Sequence, residues 1–112
     1  MSVSDYIPSR AWIAANNVDV DALRVALDAG ADVDERDWDG VTLLMLAVDS
    51  EACLQDDNVP LRVDCTSLLL ARGADVRLVN ERGESALDWA GGGRHWLAFE
   101  LLRAWDARTT TS

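Results

Sequence analysis

The sequence predicts an all-α solenoid, in which helix-turn-helix units stack side by side. Leu27-Asp28-Ala29-Gly30-Ala31-Asp32-Val33-Asp34 returns as Leu70-Ala71-Arg72-Gly73-Ala74-Asp75-Val76-Arg77. Asp39-Gly40-Val41-Thr42-Leu43-Leu44 returns as Arg82-Gly83-Glu84-Ser85-Ala86-Leu87, and both pairs are offset by 43 residues. Two independent motifs with one offset mark an internal repeat, the signature of a stacked architecture. Around these motifs the apolar residues recur at helical spacing.

Each element has its own signal. Ser9-Arg10-Ala11-Trp12 stands where a first unit would open its first helix. Ala22, Leu23, Val25, Ala26 and Leu27 form a helical stripe, and Gly30 follows where a helix end requires positive φ. Thr42 precedes the apolar run Leu43-Leu44-Met45-Leu46-Ala47-Val48 as an N-cap. The segment 51–62, EACLQDDNVPLR, carries Pro60 and three acids, which predicts a loop inserted between the two helices of a middle unit. Leu68-Leu69-Leu70 supplies that unit's second helix. Ser85 with Asp88 resembles a capping box with Asp in place of Glu. Gly91-Gly92-Gly93 predicts a flexible turn before a last helix bearing Leu97, Phe99, Leu101 and Leu102. A helix pair cannot bury its apolar face alone, so the core must run along the stack.

Length and charge limit the rest. The 112 residues suffice for one domain with a real core. No apolar run approaches the roughly 18 residues of a membrane span, and MSVSDYIPSR lacks an apolar signal core. Cys53 and Cys65 cannot build a disulfide framework, and both are expected as free thiols, the second buried. The expectation is a cytoplasmic protein. Its net charge of −10 argues against nucleic acid or an anionic membrane as partner. Residues 1–57 carry 13 acids and 3 arginines, whereas residues 58–112 carry 7 of each. Every basic residue is Arg, which hints at a GC-rich bacterial source.

These residues resemble the ankyrin repeat. That family's unit of about 33 residues carries a T-P-L-H helix start and an L-L-x-x-G-A-D turn. The resemblance implies three units, about 9–36, 37–79 with the insertion, and 80–105, forming one domain over 1–112. The helix-start signature reads Thr42-Leu43-Leu44-Met45 in the second unit and Ser85-Ala86-Leu87-Asp88 in the third, without the Pro and His.

No constellation for chemistry emerges. His95 is the only histidine, which excludes two-His metal motifs. Ser85, Asp88 and His95 are the residue types of a hydrolase triad, but a capped helix and a surface His explain them better. Asp56-Asp57-Asn58 lacks the spaced acids and terminal Glu of an EF-hand and reads as a solvated loop. The expectation is no catalytic residue, no metal and no cofactor.

What remains is surface. In ankyrin proteins the hairpin tips and the adjacent face of the first helices bind other proteins. Carried onto this sequence, those positions are Asn16 and Asn17, then Arg36, Trp38, Asp39, Val41, Asp49 and Ser50, then Val79, Glu81, Arg82 and Glu84. Asp34, Glu35 and Asp37 join them, because Asp32, Asp34, Glu35, Asp37 and Asp39 place five acids within eight residues. Trp38 sits among these acids at a position the family leaves exposed, and Trp is enriched in binding hot spots. Trp12, Trp89 and Trp96 are expected to cover the ends of the stack. The resemblance implies a module that acts by occupying a partner's surface and is monomeric when free. The acidity points to a basic protein partner, as for an inhibitor of the immunity or antitoxin kind facing a toxin or effector enzyme. The alternative is a scaffold or adaptor subunit that stabilises a complex without inhibiting it.

Overall fold

The computed structural model describes residues 9–54, 62–92 and 95–110. They contain six helices: α1 (Arg10–Asn16), α2 (Val20–Asp28), α3 (Leu43–Leu54), α4 (Asp64–Ala71), α5 (Ala86–Gly92) and α6 (Trp96–Thr110). Consecutive helices pair, α3 packs against both α1 and α5, and α2 packs against α4. The first helices thus form one layer, and the second helices cover it. Leu23, Leu43, Leu44, Met45, Val48, Leu69, Leu70 and Leu102 lie between them, none more than 2% exposed.

The repeat has a hydrogen-bonding basis. A hydroxyl caps the first helix of each pair: Ser9 Oγ accepts from Trp12 N at 3.1 Å, Thr42 Oγ1 from Met45 N at 3.2 Å and Ser85 Oγ from Asp88 N at 3.3 Å. Asp88 Oδ2 returns the bond by accepting from Ser85 N at 3.0 Å, which closes the capping box. At the other end Gly30 and Gly73 take φ of +103° and +91°. Ala31 N then donates to Ala26 O at 3.1 Å, and Ala74 N to Leu69 O at 3.0 Å, so carbonyls left open by each helix are satisfied identically.

The hairpins repeat as faithfully. Asp37 Oδ1 accepts from Asp39 N at 2.8 Å and Val41 N at 3.0 Å; 43 residues on, Asn80 Oδ1 accepts from Arg82 N at 2.9 Å and Glu84 N at 3.0 Å. Glu81 N donates to Asp39 O at 2.9 Å and joins one hairpin tip to the next. Gly40 permits this approach. At φ +80°, a Cβ there would lie 3.1 Å from Asn80 Cα, whereas Gly83 has nearly the same φ of +78° with nothing within 4 Å. Both Gly40→Ala and Gly83→Ala should lose about 1 kcal/mol for the left-handed backbone. Gly40→Ala should lose about 1 kcal/mol more from the contact with Asn80. Denaturant midpoints of the two variants would measure the inter-hairpin contact; equal losses would show that the hairpins move apart freely.

Four expectations need correction. The inserted segment does not begin as a loop, because α3 continues through Glu51 to Leu54. Glu51 is buried there and bonded to the start of α4, which holds the added turn. Gly91 and Gly92 lie within α5, not in a turn. A Cβ at Gly91 would come 3.3 Å from Phe99 Cε1, so a missing side chain lets α5 and α6 pack closely. Trp96 is 64% exposed and does not cover the end of the stack. His95 is fully buried, not on the surface. Trp12, Trp89 and Trp105 do pack, half-buried, against the core.

Candidate functional site

Where the second and third helix pairs present their hairpins, a groove opens between the two tips, lined by Arg36, Asp37, Trp38, Gly40, Val79, Asn80 and Glu81. Its form follows from the bonds above. The Asx-type turns at Asp37 and Asn80 and the Glu81–Asp39 bond fix both tips, and Gly40 brings them together. Trp38, 58% exposed, and Val79, 46% exposed, provide the apolar surface.

The acids around it divide into two groups. Asp32 Oδ1 accepts from Asp34 N at 2.9 Å, and Asp34 Oδ1 accepts from Asp75 N at 2.9 Å, tying one repeat to the next. Asp37 builds its own turn, and Glu35 accepts from Ser9 Oγ at 2.5 Å. These four carboxylates hold the fold. Among the described residues, the side chains of Asp39 and Glu81 make no ion pair or hydrogen bond, and neither does the Arg36 guanidinium. Arg82 pairs with Glu84 at 3.6 Å. The Asn80 amide, helped by Trp89 Nε1, holds the Glu84 carboxyl below its ordinary range.

The other sequence-derived positions are dispersed. Asn16 and Asn17 are exposed at the end of α1, and Asn17 borders an apolar hollow with Ile13 and Val25 on the outer side of the first pair. Asp49 is exposed on α3. Val41 and Ser50 do not belong to a surface: each is 9% exposed, Val41 because it turns into the core beneath the hairpin and Ser50 because that side of α3 is covered. Sequence reasoning named Val79 for its position alone and missed that it lines one groove with Trp38. It counted the acids as charge and missed their bonding to the backbone. The signal was present: Asp37 and Asn80 occupy equivalent repeat positions, and only a turn needs Asx at both.

The residues considered for chemistry are otherwise engaged. Ser85 and Asp88 bond each other, and His95 bonds Glu51 and the Arg62 carbonyl, so no triad forms. Burial pushes the Cys65 thiol up to about 12, which keeps it protonated and unreactive at neutral pH. Cys53 is exposed, and both cysteines are free thiols. Asp56-Asp57-Asn58 lies outside the described residues. No helix among the described residues is long and apolar enough to cross a membrane.

Helix pairs stacked through a shared core, with hairpins along one edge, define a repeat solenoid. The ankyrin-repeat family model matches residues 39–81, from the tip of one hairpin through α3 and α4 to the tip of the next. The chain thus carries an ankyrin repeat over these residues, and ankyrin stacks serve as protein–protein interaction modules. Comparison with curated proteins gave no match.

Proposed function

We propose that this module binds a basic protein through the Trp38–Val79 groove and masks its surface, as an inhibitor of the immunity or antitoxin kind. The observation that carries the reading is Trp38 itself. A 58% exposed indole on a rigid hairpin, with Val79 in the same groove and the unpaired carboxylates of Asp39 and Glu81 beside it, has little to do for folding. It offers a partner an aromatic anchor within acceptors for Arg or Lys. Asp34, Glu35, Arg36, Asp37 and Arg82, on or beside the same hairpins, would form the rim. The net charge of −10 supports steering of a basic partner.

Affinity purification followed by mass spectrometry identifies the partner, and co-expression with it decides the mode. Rescue of growth from a toxic partner establishes inhibition. Recovery of housekeeping subunits whose activity is unchanged establishes the scaffold reading. The electrostatic part has its own expected outcome. Raising ionic strength from low to physiological should slow association several-fold and change dissociation much less. An association rate indifferent to salt would remove charge from the mechanism.

A further inference from the structure

The geometry points to a proton-dependent joint in which the Glu51 carboxyl, bonded to His95, takes up one proton that fastens the last helix pair and the end of the inserted segment to the stack. Glu51 on α3 is 1% exposed, and His95, Thr66 and Cys65 are fully buried around it. Glu51 Oε2 accepts from Cys65 N at 3.0 Å and Thr66 N at 3.2 Å, in the first turn of α4. Its Oε1 accepts from Thr66 Oγ1 at 2.5 Å and lies 3.3 Å from His95 Nε2. His95 Nδ1 accepts from Ala98 N at 3.2 Å, in the first turn of α6, so the ring proton sits on Nε2, which donates to Arg62 O at 2.7 Å. One carboxylate and one imidazole therefore connect α3, the last residues before α4, α4 itself and α6.

This arrangement buries the Glu51 carboxyl among hydrogen-bond donors, and among the described residues no disengaged cation faces it to balance a negative charge. The charged groups described around it are engaged elsewhere or carry the same sign. Arg62 is engaged by Asp64 beside it. Cys65 is a neutral thiol, and Asp19, at the start of α2, adds negative potential from a distance. On α5 the charged side chain is Asp88, held in its capping box, and on α6 Glu100 and Arg103 pair with each other on the surface. A proton cancels the charge at small structural cost. The Thr66–Glu51 bond reverses, so that the carboxyl donates and the hydroxyl accepts, and the remaining bonds stay in place. Glu51, Asp64 and Cys65 bring donor atoms within 4.8 Å of one another. However, the Glu51 oxygens already accept several donors and Asp64 engages Arg62, so the cluster suits a proton better than a cation.

Desolvation acts in the same direction, pushing the Glu51 carboxyl above its ordinary range against the opposing bonds from Thr66 and His95. A carboxyl raised in the folded state binds its proton more readily there than in the unfolded chain. Its contribution to stability is complete below the ordinary carboxylate pKa and is lost as pH rises through the folded value. The joint should therefore tighten in mild acid and loosen towards alkaline pH.

His95 is the only histidine, so its imidazole NMR signals report on the joint in the unaltered protein. From about pH 5 to about pH 8, a span that covers raised carboxyls, those signals should shift in one step as the bonded Glu51 carboxyl titrates. Over the same span, exchange of the Ala98 amide, corrected for its intrinsic pH dependence, should quicken at least about threefold relative to amides of α2. The thermal midpoint should fall by about 5 °C, and Glu51→Gln should remove most of that fall, separating it from the general repulsion of an acidic chain. Signals of His95 that stay flat while the protein remains folded would overturn the joint, as would an unchanged slope in Glu51→Gln. If that variant does not fold, the His95 signals and the Ala98 exchange in the unaltered chain decide the matter.

Discussion

Truncating Trp38 to alanine is expected to raise the dissociation constant of the partner complex about thirtyfold or more, a loss of about 2 kcal/mol. The same change should leave the denaturation midpoint within about 0.5 kcal/mol of the parent. Both expectations follow from one geometry. The indole is held out on a hairpin whose shape depends on Asp37, Gly40 and the Glu81–Asp39 backbone bond, and none of these uses the Trp38 side chain. Asp39→Arg should also weaken binding, because its carboxylate is unpaired and the new charge would face a basic partner. Trp89→Ala serves as the contrast. Its ring packs half-buried against the core and its Nε1 donates to Glu84 at 3.2 Å, so its loss should cost about 2–3 kcal/mol of stability. If Trp38→Ala melts the protein while the remaining folded molecules bind normally, the groove is the wrong site.

The contrast between Trp38 and Trp96 shows what was legible in the chain. The 43-residue repeat, the Thr42 and Ser85 caps and the glycine after each second helix are local patterns, and each corresponds to bonds within a few residues. Trp38 could be placed for the same reason, because a hairpin position is defined by its neighbours in sequence. Trp96 and His95 could not. Their burial depends on what packs across from them, and the partners of His95 are Glu51 and Arg62, 44 and 33 residues away. Glu51 was hidden in an inserted acidic segment, where an acid is ordinarily solvated. Gly91 misled in the opposite way: a run of glycines suggests a turn, yet here the lacking Cβ serves the approach of Phe99. For the surface, the hairpin positions of Trp38 and Glu81 follow from their neighbours in sequence, but nothing local separates Asp39 from the acids that brace the backbone. That distinction lies in 2.8–3.0 Å bonds reaching as far as Asp75.

Leu44→Ala should cost about 3–5 kcal/mol and abolish the helical fold in a single transition at much lower denaturant. Leu44 is 2% exposed on α3, so the deletion removes buried surface where little can relax to refill it. Position in the stack adds to the effect. In a repeat protein stability is the sum of unit terms and nearest-neighbour interfaces, and only α3 packs against the first helices on both sides, α1 and α5. Weakening the middle pair therefore undermines two interfaces, and a domain with about 5–15 kcal/mol in total has little to spare. Leu102→Ala tests the converse. Leu102 is equally buried, at 1%, but α6 closes the stack and packs principally against α5. Its loss should accelerate amide exchange in α6 well before exchange in α1 and α2. If α1 and α2 instead keep their protection in Leu44→Ala, the first pair holds itself together and the middle pair is not what unites the stack.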